Sequence, residues 1–280
     1  MAIDLHLHTT ASDGTYTPTE IVDEAKKLGL TAIAITDHDN MNGVEEALKR
    51  GKEIGLEVVP GIELNTDYEE KEIHILGYYL NYSSKEVHDI LDELINSRVN
   101  RAQKMVEKLN QMGINISYER VKEIAVGGAI GRPHIAKALI EAGYAEDWSE
   151  AFDRFIGRDC PAYVPRTKLT PFAAIKLILN AGGVPVLAHP GLNNLDEIIP
   201  GLIEAGLMGI EVYHFEHTGE DKVHYLKMAQ KNNLIITGGS DCHGPGSKSG
   251  ARLGQVKLPE QFLTELKKGL SQKSLYNPQK

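Results

Sequence analysis

The chain has 280 residues, 41% hydrophobic and 25% charged, which suits a soluble globular protein of one large barrel domain or two ordinary domains. A formal net charge of −9 argues against a broad nucleic-acid-binding surface, and no apolar run approaches the length of a membrane span. The start lacks a signal peptide's basic and apolar stretches, and Cys160 and Cys242 form no metal or redox motif, so a reducing cytoplasm is the expected setting.

The first stretch, Ile3-Asp4-Leu5-His6-Leu7-His8, alternates apolar and polar residues and reads as a strand beginning almost at Met1. Positions two apart share a face, so His6 and His8 are expected to project together, with Leu5 and Leu7 on the other side. Two imidazoles a strand step apart can bind one divalent ion, and Asp13 lies one short loop beyond. Thr17-Pro18-Thr19-Glu20 reads as a helix start, with Thr17 capping, Pro18 at the first helical position and Glu20 completing a capping box. Ile21, Val22, Ala25 and Leu28 form its apolar stripe, and Gly29 ends it. The run Thr31 to Thr36 suits a strand buried on both faces, and it delivers Asp37-His38-Asp39. One of the two flanking aspartates is expected to orient the His38 ring. A helix from Val44 to Ile54 closes at Gly55, and Leu56 to Ile62 leads to Glu63. Glu72 to Tyr78 is the next strand, carrying His74. Its connection from Glu63 is too short for a helical crossover, so the β-α alternation breaks there.

From Asn96 to Lys168 the texture is helical. Val99, Ala102, Met105, Val106 and Leu109 are spaced for one amphipathic face, with more helix around His134 to Glu141 and Ser149 to Phe155. The alternation then resumes. Thr170-Pro171 opens a helix ending near Gly182, and Val184 to Ala188 delivers His189. A helix over Leu195 to Ala205 precedes a strand from Met208 to Tyr213, followed by His214 and His217, which are expected beside the ligands or against the substrate. A helix near Asp221 to Lys231 precedes Leu234 to Thr237, which delivers Ser240-Asp241-Cys242-His243. A last helix is expected from Pro259 onward, and His88 and His224 fall on polar helix faces at the surface. About seven strands alternating mostly with helices point to a parallel barrel.

Nine side chains stand at strand ends: His6, His8, Asp13, His38, Glu63, His74, His189, Asp241 and His243. In a parallel α/β barrel such ends converge on one rim, where active sites are built. Imidazole and carboxylate donors suit zinc, manganese or iron(II), and the lack of thiolates argues against a structural zinc site. So many donors exceed one ion with an open position. They suit two or three divalent ions, with a carboxylate such as Glu63 bridging.

The ordered motifs Asp4-Leu5-His6-Leu7-His8 with Asp13, Thr36-Asp37-His38, Gly61-Ile62-Glu63, His74, Ala188-His189-Pro190 and Ser240-Asp241-Cys242-His243 resemble the PHP (polymerase and histidinol phosphatase) superfamily of metal-dependent phosphoesterases. The resemblance implies an α/β fold, a distorted seven-stranded TIM-like (β/α) barrel with a bi- or trinuclear metal centre. The barrel would take residues 1–95 and 169–280, and a helical insertion over 96–168 would cap the active site. By that resemblance one ion takes His6, His8, Glu63 and Asp241, a second Asp13, His38 and His243, and a third Glu63, His74 and His189.

Within the insertion, Gly131-Arg132-Pro133-His134-Ile135-Ala136 and Gly157-Arg158 with Pro161-Ala162-Tyr163-Val164-Pro165 resemble the branch acting on nucleotides. Its members include phosphatases of 3′,5′-nucleoside bisphosphates, AMP phosphatases and 5′-to-3′ exoribonucleases. This implies a nucleotide or short-RNA substrate, no duplex DNA, no membrane, and a monomer or small homo-oligomer. Arg132, His134, Arg158 and His217 are then the expected substrate contacts, a guanidinium being a natural clamp for a phosphate that is not cleaved. Asp159-Cys160 departs from the glycine and basic residue expected after Gly157-Arg158. The chemistry implied is attack on phosphorus by a metal-activated hydroxide held by Asp13, Glu63 and Asp241, with His189, His217 or water protonating the leaving oxygen. A histidinol-phosphate phosphatase is the alternative enzyme, and Gly131 to His134 speaks against it, because a small amino-alcohol phosphate needs no remote clamp. A non-catalytic binding or assembly module is the other alternative, disfavoured because every ligand position is filled.

Overall fold

The computed structural model describes residues 2–69, 71–125, 130–165, 169–247 and 250–272. Strand β1 (Ala2–Asp4) is followed by α1 (Pro18–Lys27), in which Thr17 accepts from the Glu20 N–H and Glu20 reaches back to the Thr17 N–H. Such a cap contributes about 1 kcal/mol and sets where the chain turns into the helix. Strand β2 (Leu30–Ile35) and α2 (Val44–Ile54) follow, the latter closed by Gly55 in the left-handed region at φ 69°. Strands β3 (Glu57–Tyr68) and β4 (Lys71–Tyr78) form an antiparallel hairpin with Glu63 opposite Leu76 and Asn65 opposite His74. Residues two apart on β3 and directly opposite on β4 share a face, so Glu63, Asn65, His74 and Leu76 all point inward.

The helical segment contains α3 (Lys85–Gln111), α4 (Tyr118–Ile124), α5 (Arg132–Glu141) and α6 (Trp148–Ala151), which runs into a π-helical turn at Phe152–Ile156. The remainder comprises α7 (Pro171–Asn180), β5 (Val184–Leu187), α8 (Ile199–Glu204), β6 (Gly209–His214), α9 (Gly219–Asn232), β7 (Ile235–Gly239), β8 (Leu258–Pro259) and α10 (Gln261–Gln272).

The strands lie in the order β7-β6-β5-β4-β3-β2-β1-β8. The sheet curls almost shut. Beyond β1, the Leu5 N–H donates to the Gly238 carbonyl at 3.2 Å, the His8 N–H donates to the Cys242 carbonyl at 3.0 Å, and Leu7 bridges Cys242 in parallel register. Inside the barrel pack Ile3, Leu5, Ala32, Ala34, Val59, Leu76, Tyr78, Val184 and Val186, and the Tyr78 hydroxyl donates across the interior to the Leu5 carbonyl at 2.8 Å. Between strands and outer helices lies a second layer that includes Leu7, Ile21, Ile33, Ile35, Ile175 and Val212. A third cluster, with Met105, Leu109, Ile135, Leu139 and Phe155, belongs to the helical segment alone.

Several expectations change. Strand β1 ends at Asp4 rather than His8, so strict alternation lapses and Leu5 and Leu7 pack in different layers. Asn96, where the helical segment is expected to begin, falls inside α3. Val87 and Leu91 of that helix pack on the barrel, and Met105 and Leu109 pack in the helical segment. The expected end of the segment at Lys168 lies outside the described residues. The two-residue β8, antiparallel to β1, adds to the seven strands expected. Helix α8 starts four residues later than its apolar pattern suggests, after turns around Asn194 and Leu195. No described helix is long and apolar enough to cross a membrane.

Gly239, at the end of β7, lies against the backbone of His6, and an added Cβ would collide with the His6 N and Cβ. Gly239→Ala is expected to lower stability by about 1–3 kcal/mol through overpacking, measured by urea unfolding. Since the clash is with His6, bound metal measured by elemental analysis should fall in the same variant.

Candidate metal centre and the cavity beside it

The open end of the barrel gathers the polar residues that follow each strand. Three of them sit with backbone in the left-handed region, Asp39 at φ 49°, His189 at φ 27° and Asp241 at φ 50°. Such conformations cost on the order of 1–3 kcal/mol for non-glycine residues and persist where surrounding contacts hold them. Here the backbone reverses shortly after a strand, at the end of the barrel where the donors gather.

Glu63 is the hub. Its Oε1 lies 2.8 Å from His74 Nδ1 and 3.1 Å from His189 Nε2. Its Oε2 lies 2.9 Å from His38 Nδ1, 3.2 Å from His8 Nε2 and 3.3 Å from His6 Nε2. Asp241 Oδ1 approaches His8 Nε2 at 3.0 Å and His6 Nε2 at 3.4 Å. Asp13 faces His243 Nε2 at 3.3 Å and His38 Nε2 at 4.0 Å. Three groups have donor atoms converging closely enough for one ion each: His6, His8, Glu63 and Asp241; His8, Asp13, His38 and His243; and His38, Glu63 and His74. The first has the composition the resemblance implies. The second gains His8, and the third contains His38 where His189 was expected, with His189 on the opposite oxygen of the hub.

The buried carboxylates and imidazoles shift one another's ionisation. Burial works against ionising Glu63, yet His38, His74 and His6 hold its carboxyl well below the usual carboxylate range. Burial likewise resists charging His8, and Asp241 and Glu63 outweigh it and push the ring up to about 10. His74 is pushed to about 9 against its burial, chiefly by Glu63. Yet His6 Nε2, His8 Nδ1 and Nε2, Asp13 Oδ1, Glu63 Oε2 and Asp241 Oδ1 are buried with no hydrogen-bond partner among the described residues. An unsatisfied buried polar atom costs about 1–3 kcal/mol, and more if charged. Divalent ions would satisfy these lone pairs together, so the donor set fits bound metal.

A surrounding layer aims the donors. Glu211 accepts from the His189 N–H at 2.9 Å through one oxygen, and its other oxygen lies 3.0 Å from His6 Nδ1. With Nδ1–H committed there, the His6 Nε2 lone pair faces Glu63 and Asp241. Asp4 accepts from the Ser240 N–H at 2.9 Å, the Ser240 hydroxyl at 2.6 Å and the Gly254 N–H at 2.9 Å, and burial pushes its carboxyl up to about 6 against those donors. Asp37 and Asp39, one of which is expected to orient the His38 ring, make different contacts. Asp37 accepts from the Thr9 N–H and hydroxyl, each at 2.7 Å, and from the Ser12 hydroxyl at 2.6 Å. Asp39 holds the Asn65 amide, and Asn65 Nδ2 lies 3.1 Å from His38 Nδ1. The ring is steered through Asn65.

A cavity of about 400 Å³ opens above the centre. Asp13, His38, His74, Asp241 and His243 line its floor, and Arg101, Met105, Arg132, His134, Trp148 and Phe152 of the helical segment line its far side. Arg132, the first residue of α5, pairs with Glu72 at 2.9 Å and lies over the Phe152 ring, 5.5 Å from its centroid. Glu72 in turn lies 3.5 Å from His74 Nε2, so a chain of contacts joins Arg132 to the hub. His134 lines the cavity, and its Nδ1 accepts from the Gly131 N–H at 3.0 Å, capping α5. Arg158 is elsewhere, 3.5 Å from Asp67 and not among the described residues of the cavity wall.

His217 also differs from its expected place. Its Nδ1 donates to the Val212 carbonyl at 2.9 Å and its Nε2 accepts from the Gly191 N–H at 3.2 Å, so both ring nitrogens brace backbone. Burial also lowers its pKa. His214 is buried, with Nε2 3.5 Å from Asp241 Oδ2. His224 is exposed and pairs with Asp196. Sequence reasoning missed Glu211, Asn65 and Glu72. A carboxylate amid the apolar residues of β6 was the available signal for Glu211, and nothing comparable marked Asn65.

A PHP domain model matches residues 4–159. The chain is 33% identical over 251 residues to the 5′-3′ exoribonuclease Rnm of Escherichia coli, covering 86% of this chain and 85% of that protein. It is 30% identical to the 3′,5′-nucleoside bisphosphate phosphatase of Chromobacterium violaceum, covering 87% of this chain and 88% of that one. A solved structure from Bifidobacterium adolescentis, described as that of a metal-dependent phosphoesterase, superposes with a TM-score of 0.88 at 34% identity, covering 95% of this chain and 96% of that one. A barrel with His, Asp and Glu donors converging at one rim defines a class of metal-dependent hydrolases. Within it, this chain belongs to the PHP domain family.

Glu211 touches two of the donors' supports at once, so Glu211→Ala is expected to weaken metal binding roughly 10- to 100-fold in a competition titration with a chelating dye. Thermal unfolding should show a loss as well, because the His189 N–H is left without its acceptor.

Proposed function

We propose that this protein hydrolyses phosphate monoesters of nucleotides, of the 3′,5′-bisphosphate or AMP type and at the 5′ end of short RNA. The observation that carries this reading is a single cavity with clustered metal donors on its floor and the Arg132 guanidinium on its far side. The named activities of the E. coli and C. violaceum relatives support it. Residues 96–168 then act as a cap on a barrel built from 1–95 and 169–280, since cavity walls come from both. The cap and barrel of one chain suffice to build the cavity, which suits a monomer or small homo-oligomer. The free thiols of Cys160 and Cys242 suit a reducing cytoplasm.

Two or three ions of manganese, zinc or iron match the imidazole and carboxylate donors. His6, His8, Glu63 and Asp241 would hold one, Asp13, His38 and His243 another, and Glu63 with His74 and His189 a third, His8 and His38 standing within reach of more than one. Such ions supply an ionised water at neutral pH and cancel charge on the phosphoryl oxygens. Asp13, Glu63 and Asp241 would supply the anionic donors to those ions. Arg132 grips a second phosphate in exchange for Glu72, and His134 and Arg101 wall the path between them. With both His217 nitrogens committed to backbone, water or His189 is left to protonate the leaving oxygen.

Exhaustive chelation is expected to abolish phosphatase activity, and manganese or zinc to restore it, in an assay comparing AMP, 3′,5′-bisphosphates, histidinol phosphate and short RNA. Full turnover by the metal-free protein would overturn the reading.

Arg132 supplies no metal donor, so its value depends on the substrate. A charge-assisted hydrogen bond is worth about 1.5–3 kcal/mol, so Arg132→Ala should lower kcat/KM for a 3′,5′-bisphosphate roughly ten- to a hundredfold and that for p-nitrophenyl phosphate far less. If Arg132 only braces α5 through Glu72 and Phe152, both substrates lose alike and the melting temperature drops.

A further inference from the structure

The metal donors and Arg132 account for phosphates, but apolar side chains of the helical segment also line the cavity, beside Arg101 and Lys137. Met105, Ile130, Trp148 and Phe152 border it there. Trp148 and Phe152 are four residues apart on one continuous helical stretch, formed by α6 and the π-helical turn, and this spacing puts both rings on one side. The start of that stretch is pinned by Asp147, whose carboxylate accepts from the Glu150 N–H at 2.8 Å. Both rings are half-buried against the core of the helical segment, yet both also border the cavity. Arg132 marks the seam, paired with Glu72 toward the metal donors and lying over Phe152 on the other side. A bare phosphate ester has no use for an aromatic wall, whereas a heteroaromatic base does, because every base presents a π face.

We propose that Trp148 and Phe152 form a base-binding wall that takes the nucleobase of the substrate whose phosphates lie at Arg132 and the metal donors. This rests on the hydrolase reading above and assigns the discrimination against base-free sugar phosphates to these two side chains. Stacking on such a wall favours a base-bearing ester by roughly 5- to 150-fold in kcat/KM.

Trp148 is the chain's one tryptophan, so its emission reports this wall directly. In the zinc-loaded protein, AMP and adenosine should change that emission, and ribose 5-phosphate and inorganic phosphate should not. The ratio of kcat/KM for AMP over ribose 5-phosphate should fall roughly 5- to 150-fold in Trp148→Ala and be largely restored in Trp148→Phe, which keeps a stacking face. Phe152→Leu, which keeps the volume, provides the second variant should Trp148→Ala fail to fold, and its ratio should fall too. A loss that is equal for the two esters would assign both rings to packing alone and overturn the proposal. Equal turnover of AMP and ribose 5-phosphate by the unaltered enzyme, with silent Trp148 emission, would reject the base wall and leave the hydrolase standing. An emission change with adenosine in a protein that hydrolyses no ester would keep the base wall and reject the hydrolase.

Discussion

The carboxylate of Glu63, buried and within 3.3 Å of five imidazoles, is the constraint around which this molecule is organised. Packing that many ionisable groups in a barrel mouth is costly, because each loses water and several present lone pairs to one another. Among the described residues, buried nitrogens and oxygens on both sides of the cluster lack hydrogen-bond partners. Cations relieve that cost at one stroke. The strained turns at Asp39, His189 and Asp241 are the backbone's share of the same bargain.

A departure from regular β-α alternation, the β3–β4 hairpin, places Glu63. Strand β3 runs on past the barrel rim and turns back as β4, so Glu63, Asn65 and His74 share one inward face. A helical crossover at that point would have separated them. The parallel bridge of His38 to Glu63 and the bonding of Leu5 and His8 to the end of β7 then draw the first two strands and the last around the same point. Glu211, Asp4 and Asp37 take no part in the clusters that could hold ions, yet they tie together segments distant in sequence. Asp4 alone connects the N-terminal strand to Ser240 and Gly254. Their contribution is to stiffen donors that would otherwise drift under mutual repulsion.

Above this rigid floor the helical segment has its own core, joined to the barrel by the long α3. Its wall changes in character from Arg132 and His134 near the metal donors to Trp148 and Phe152 beyond. Glu72 is the go-between, holding Arg132 on one side and approaching His74 on the other. The Arg132 guanidinium at the cavity wall is thus held by a partly exposed carboxylate.

Local chemistry determined much of this protein. The capping box at Thr17, the closure of α2 at Gly55, the doubly buried β2 and the short β3–β4 connection were all legible, because each depends on neighbours in the chain. The nine polar residues at strand ends were legible too, since a buried strand delivering a histidine or carboxylate stands out against apolar surroundings. Tertiary structure alone decided how those nine share Glu63, with His8 and His38 each belonging to two groups. It also decided that His217 braces backbone, that Arg158 faces Asp67, and that Asn65 steers His38. These outcomes rest on side chains from separate elements meeting in space, and the distance along the chain between His6 and Glu211 carries no trace of their 3.0 Å contact. The end of β1 at Asp4 has the same origin. The pattern of Leu5, His6, Leu7 and His8 is that of a strand, but the hydrogen bonds available at the barrel mouth come from Gly238, Cys242 and Thr36 rather than from one regular neighbour.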